Sequence, residues 1–159
     1  MPKSLTPLDV VLENLDRAYN QLSWHGPNLR GGLRGITPEI ASKRPAPERK
    51  NIWEHVVHAA YWKYVARRRL TGEKRGSFPL KGSNWFERPT FHALANWKED
   101  LAQLEQCHLT LRASIEAFDG DLSRKMPGSK VTYLQLLLGV ASHDTYHAGQ
   151  IQLIRRIVA

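Results

Sequence analysis

The chain has 159 residues, 42% of them hydrophobic, a net charge of +8 and one cysteine, Cys107. This length suits one domain, residues 1–159. The single cysteine excludes an intramolecular disulfide. The sequence has no apolar run of ~20 residues, which excludes a membrane span. The basic residues are scattered and none lies in a known groove-reading motif, so the charge favours a cationic surface over a nucleic-acid site. Because no signal-peptide pattern is present either, the sequence predicts a cytoplasmic protein with no membrane partner.

Four long helices are predicted, and the first begins at Thr6. Thr6 can cap a helix, Pro7 suits the first helical position, and Asp9 completes the spacing of a capping box. Apolar residues then recur at helical spacing as far as Leu22. The following segment, "WHGPN", contains a glycine and a proline, which predict that the helix ends near Ser23.

The second helix follows a long connection in which "TPEIAS" (37–42) predicts one or two helical turns. It begins after Asn51, which is a suitable cap, and runs through "IWEHVVHAAYWKYVARRRL" to about Leu70, where Thr71 and Gly72 end it. Because its first three turns are apolar on nearly all sides, we expect this helix to be deeply buried.

The third helix runs from Thr90 to about Phe118, and the fourth runs from about Thr132 to the C-terminus. Four helices of this length can enclose one core, so the predicted fold is an all-α four-helix bundle with long connections between helices. The third helix has an apolar stripe that should face the core: Leu94, Trp97, Leu101, Leu104, Leu111, Ile115 and Phe118.

Two histidines, His143 and His147, lie one turn apart in the apolar stripe of the fourth helix. Residues four apart share one face of a helix, so both rings should point into the bundle. Two imidazoles in this arrangement can bind one metal ion, as in the helical H-E-x-x-H motif. The alternative is a pair of core histidines that are hydrogen bonded to backbone or water.

A metal site needs a further protein ligand, and the second helix offers His55 and His58. These two are three residues apart, and the apolar face is too broad for the helical periodicity to choose between them. Three imidazoles would leave coordination positions open, which is typical of catalytic sites, whereas structural zinc sites usually have four protein ligands. The sequence does not indicate a general base.

The other candidate residues are weaker. Asp144 makes "HDTYH" similar to H-E-x-x-H, but aspartate reaches less far than glutamate, so we interpret it as a surface carboxylate or one that supports a metal ligand. His25 lies in a loop and is expected to stabilise a turn, while His92 and His108 have no partner at ligand spacing. Cys107 is either a core residue or a reactive thiol.

Two segments, "NIWEHVVHAAYWK" and "TYLQLLLGVASHDTYHAGQIQLIRR", together resemble the DinB/YfiT-like superfamily of bacterial metal-binding four-helix bundles. The specific part is the histidine of the second helix and "HDTYHAGQI" in the fourth. The resemblance implies that the metal ligands are His58, His143 and His147, with His58 favoured over His55.

The resemblance also implies a divalent metal ion (nickel, zinc or iron), a homodimer and a thiol-dependent chemistry. We therefore expect a metal-dependent enzyme such as a thiol S-transferase or hydrolase, acting on a low-molecular-weight thiol or a small anionic substrate. The alternatives are a non-catalytic metal- or ligand-binding bundle protein and, less favoured, a basic nucleic-acid-binding protein.

Overall fold

The computed structural model describes residues 4–88 and 94–159, which contain six helices and no strand. The all-α class and the four long helices predicted from the sequence are confirmed. Two short helices, of which the sequence predicted only the second, lie in the connection between the first two long ones. In chain order the helices are α1 (Pro7–Tyr19), α2 (Leu29–Gly32), α3 (Pro38–Ser42), α4 (Ile52–Thr71), α5 (Leu94–Glu116) and α6 (Tyr133–Val158).

The ends of the long helices follow local sequence signals. At the end of α4, Gly72 adopts a φ of 78°, a left-handed conformation that glycine tolerates because it has no Cβ. At three helix starts the cap side chain accepts a backbone N–H from the third helical residue, whose own side chain accepts the N–H of the cap. These capping boxes pair Thr6 with Asp9, Asn51 with Glu54, and Thr132 with Gln135.

Two sequence-based boundaries differ from the structure. α1 ends at Tyr19, a turn before the predicted Ser23, and Leu22 is exposed beyond it. The hydroxyl of Ser23 donates to a carbonyl near the end of the helix, and this contact stabilises an early turn. The predicted start of the third helix, Thr90, lies outside the described residues, and Leu94 was wrongly placed on its inward stripe because its side chain is exposed.

α4 lies at the centre of the molecule and packs against both α5 and α6, while α1 packs against the same two helices. Residues 51–60 are all buried, as the apolar character of this segment predicted. The core on this side also includes Trp97 of α5 and Ile151 of α6. In the part of the chain that the structure describes, no helix combines the length and apolar character that a membrane span requires.

The segment after α4 folds back against that helix through aromatic contacts. Phe78 and Phe86 each lie with their ring centroids 5.3 Å from that of Tyr61. These contacts hold the intervening residues, including Asn84 and Trp85, beside the histidines of α4.

Candidate metal centre

Three histidines from two helices converge on one point. The Nε2 atom of His143 on α6 lies 3.0 Å from Nε2 of His58 on α4 and 3.0 Å from Nε2 of His147. Each of the three offers one nitrogen, and these nitrogens lie within 4.8 Å of one another. Nitrogens that share an ion at about 2.1 Å in tetrahedral or octahedral geometry lie about 3.0–3.4 Å apart, so the spacing fits a metal site.

A backbone carbonyl determines which nitrogen of His58 faces this point. Nδ1 of His58 lies 2.7 Å from the carbonyl oxygen of Asn84. Because a carbonyl can only accept, Nδ1 carries the hydrogen and donates it, and the Nε2 atom of the neutral ring is left with a lone pair. This is the state in which a histidine binds a metal through Nε2.

His55 lies behind the cluster and not within it. Its Nδ1 atom is hydrogen bonded to Nδ1 of His147 at 2.8 Å, on the side of that ring opposite Nε2. When Nε2 of His147 presents its lone pair, its Nδ1 carries the hydrogen and donates to His55. Of the two histidines of α4 that helical periodicity left open, the structure brings His58, which the family resemblance favoured, to the cluster and makes His55 a partner of His147.

Burial lowers the pKa of all four histidines. The pKa of His147 falls to about 2, first through desolvation and then through the charges of His143, His55 and His58. Desolvation is also the main reason why the pKa values of His55 and His143 fall to about 4. It lowers the pKa of His58 as well, although the hydrogen bond to Asn84 opposes the shift. At neutral pH the rings are uncharged, which leaves their lone pairs available.

The arrangement fits a cation better than a hydrogen-bonded histidine cluster. A neutral ring has at most one hydrogen on Nε2, so His143 can donate to only one of the two Nε2 atoms beside it. With Nε2 directed at the cluster, its buried Nδ1 atom has no hydrogen-bond partner among the described residues, so this ring lacks the outer contact that His58 and His147 have. A divalent ion would accept a lone pair from each of the three nitrogens.

Two aromatic residues and an asparagine cover the cluster. The ring of Trp85 stacks on His58 with a centroid distance of 3.8 Å and an interplanar angle of 8°. Nε1 of Trp62 donates to the side-chain oxygen of Asn84 at 3.0 Å. The sequence pattern did not single out these three residues. One signal was available: an asparagine in the glycine- and serine-containing "KGSNWF" can adopt a left-handed turn, and Asn84 has a φ of 67°.

A protein-family model matches most of this chain. Residues 21–151, more than half of the chain, match the family model of the DinB superfamily. The chain belongs to the DinB superfamily. The matched range includes His58, His143 and His147, whereas α1 precedes it. No curated protein and no solved structure matches this DinB-superfamily chain significantly.

In this DinB-superfamily protein, Asp144 belongs to a separate buried ion pair. Its Oδ2 atom pairs with Nζ of Lys63, and both side chains are fully buried. The interpretation of Asp144 as a surface carboxylate or as support for a metal ligand is therefore wrong. The same Lys63 Nζ lies 3.5 Å from Nδ1 of His108 and over the ring of Tyr19, so His108 is a buried residue of this polar group.

The other candidates lie away from the cluster. His25 is exposed in its loop, and His92 lies outside the described residues. Cys107 is buried in the core. Burial raises the pKa of its thiol, so little reactive thiolate is present at neutral pH.

A cleft of about 500 Å³, the charged cleft, adjoins the cluster on the side of His55 and Trp85. Glu48, Arg49 and Lys50 lie along it, and Leu153 supplies part of its apolar wall. This cleft lies on the Nδ1 side of the His147 ring.

A second cleft of about 230 Å³, the apolar cleft, lies against His143. His143 is half-buried, whereas His58 and His147 are only 5% and 3% exposed. The cluster is therefore most accessible beside His143.

Proposed function

We propose that this DinB-superfamily protein is a metal-dependent enzyme, a thiol S-transferase or hydrolase, with His58, His143 and His147 as metal ligands. The convergence of three Nε2 atoms is the observation that carries this proposal. Imidazole nitrogens suit nickel, zinc and iron. Such an ion, when bound, lowers the pKa of a thiol or water in an open coordination position, so that a nucleophile exists near neutral pH.

The number of protein ligands supports a catalytic centre over a structural one. A structural zinc ion usually has four protein ligands, whereas the group found in the described part of the chain contains three histidines. Asn84 and His55 hydrogen bond to the outer nitrogens of His58 and His147, and these contacts keep the inner nitrogens directed at one point.

The charge of the protein supports a small anionic substrate or a low-molecular-weight thiol that carries an acidic group. The chain has a net charge of +8, and the charged cleft is lined by two cationic residues, Arg49 and Lys50, against one acidic residue, Glu48. Cationic groups beside a cleft raise the local concentration of anions and their rate of association.

We also propose that the protein is a cytoplasmic homodimer. Three apolar side chains of α6, Tyr146, Leu153 and Ile157, are exposed, and a second copy that covers them would also border the charged cleft, which Leu153 and Ile157 line. Light scattering of the purified protein tests this, and a monomeric mass at micromolar concentration would contradict it.

The metal site is tested by elemental analysis of protein purified without a histidine tag. We expect about one divalent ion per chain. His147→Ala should abolish metal uptake with little change in helical content by circular dichroism, because it removes one of three ligands. His25→Ala, which changes an exposed histidine far from the cluster in sequence, should retain the ion. Normal metal content in His147→Ala would contradict the ligand assignment.

The reaction class is tested on the metal-loaded protein. Thiols are mixed with electrophiles, and the loss of free thiol is followed with and without a chelator. Chelator-sensitive loss supports a transferase, and chelator-sensitive ester or amide cleavage supports a hydrolase. A protein that holds its ion but accelerates neither reaction would be a metal-binding bundle protein without this chemistry.

A further inference from the structure

The apolar cleft lies between α4 and α6, about one turn before His143 on α6. Trp62 of α4 forms one wall, and Leu136, Gly139 and Val140 of α6 form the other. His143 closes the end nearest the cluster. A molecule in this cleft is thus in contact with a ring whose Nε2 atom is 3.0 Å from both other Nε2 atoms.

The lining of this cleft selects against charge. None of its lining residues is an aspartate, glutamate, lysine or arginine, and Gln135 is the polar side chain besides His143. A charged group placed here would lose hydration without gaining an oppositely charged partner, whereas an apolar group gains from leaving water. The charged cleft, in contrast, contains Arg49 and Lys50, so the two clefts suit different chemical groups.

The size of the cleft limits the group that it can hold. A closed cavity of about 150 Å³ binds benzene, so a cleft of about 230 Å³ has room for one six-membered ring or a branched alkyl chain of similar size. A nucleotide or a folded peptide segment would not fit.

The wall is held in place relative to the histidines. Trp62 donates its Nε1 hydrogen to the side chain of Asn84, whose carbonyl accepts from His58. The centroids of the Trp62 and His143 rings lie 6.3 Å apart. The cleft and the histidine cluster are therefore connected by defined contacts.

We infer that the substrate carries a compact apolar group, a phenyl ring or a short branched alkyl chain, that occupies the apolar cleft while its reacting group lies at the histidine cluster. This inference rests on the proposed metal centre and adds to it the class of substrate.

Gly139 allows a direct test. A Cβ atom built on Gly139 meets nothing within 4 Å, and its φ is not in the left-handed region, so Gly139→Leu can fill the cleft without a backbone clash. Gly149 on the same helix is also open around its Cβ position and does not line the cleft, so Gly149→Leu is a matched control.

The probes are acetohydroxamate and benzohydroxamate, which share a zinc-binding head and differ in the phenyl ring. Isothermal titration of the zinc-loaded wild type and Gly149→Leu should show that benzohydroxamate binds about tenfold more tightly. Gly139→Leu should reduce this preference to about twofold or less and retain binding of acetohydroxamate. Equal affinity for the two probes in the wild type, or an unchanged preference in Gly139→Leu, would overturn the inference.

A third probe needs no variant. 4-Carboxybenzohydroxamate has the same ring with a charge on it and should bind the wild type no more tightly than acetohydroxamate; affinity equal to that of benzohydroxamate would contradict an apolar cleft. Zinc content is measured on the same samples. If the protein holds zinc but does not bind benzohydroxamate more tightly than acetohydroxamate, the assignment of the apolar cleft is overturned and the metal centre stands. If the wild type holds no zinc, the metal centre and this inference are both overturned.

Discussion

Asn84 is the residue on which the orientation of His58 depends. Its φ of 67° turns the carbonyl toward Nδ1 of His58, and its side chain accepts from Trp62. Asparagine tolerates this left-handed conformation better than most residues, and glycine tolerates it without cost. Both oxygen atoms of Asn84 are hydrogen bonded to other side chains and not directed at the proposed ion, so Asn84 contributes by positioning a ligand.

A pair of substitutions tests this role. Asn84→Val places a β-branched residue at a positive φ, so the carbonyl should move and zinc affinity should fall about 10–100-fold. Asn84→Gly permits the same backbone conformation and should keep affinity within about threefold of the wild type, the loss of the Trp62 contact being its main effect. Competition with a chromogenic chelator measures both, and wild-type affinity in Asn84→Val would refute the positioning role.

At the scale of the helices, the ion pair between Lys63 and Asp144 joins α4 to α6 and so joins the two elements that carry the histidines. Both side chains are fully buried, and the ring of Tyr19 on α1 lies 4.7 Å from the ammonium group. A buried pair of this kind loses much of its Coulombic gain to desolvation, so its main effect appears when one partner is removed.

A single variant and a compensating double variant, both measured in the presence of a chelator, test the pair. Asp144→Ala should lower the free energy of unfolding by about 3–5 kcal/mol, because the charge of Lys63 is left buried without its partner. Lys63→Met combined with Asp144→Leu should restore most of the loss, since apolar side chains of similar size fill the same space. Urea denaturation followed by circular dichroism gives these values. A cost below about 1 kcal/mol for Asp144→Ala would show that the pair is not buried as described.

At the scale of the whole molecule, the folded protein holds several histidines uncharged. The pKa of His108 falls to about 3, through desolvation first and the charge of Lys63 second. His55, His143 and His147 have pKa values of about 4, 4 and 2. In the unfolded chain each would titrate near its ordinary value of about 6.5.

The sign of the pH dependence follows from these shifts. Above about pH 6.5 the rings are neutral in both states, and below it the unfolded chain binds protons that the folded protein excludes. The metal-free protein should lose stability as the pH falls from 7.5 to 5, by up to about 1.4 kcal/mol per histidine for each pH unit below 6.5. Ordinary carboxyl groups titrate below this window, whereas burial raises the pKa of Asp144, and that shift acts in the opposite direction to those of the histidines. Urea midpoints that stay constant over the window would contradict the shifts.

Much of the fold could be predicted from local sequence. A capping box involves residues three positions apart, and apolar periodicity extends along a single helix, so the start of α1 followed from Thr6 and Asp9, and that of α4 from the cap Asn51. The pair His143 and His147 was visible for the same reason, because four residues make about one helical turn. The end of α1 was missed because Ser23 contributes a contact that periodicity does not register.

The sequence by itself therefore determined the helices, the histidines on their faces and, through motif similarity, the family. Only the tertiary structure showed that His55 pairs with His147, that Asn84 orients His58, and that Asp144 pairs with Lys63. The reason is physical: these contacts join residues 26, 81 and 92 positions apart, for Asn84 with His58, Asp144 with Lys63 and His147 with His55. Which partner a buried polar group finds depends on how the helices and the loop after α4 pack, and no local pattern encodes that packing.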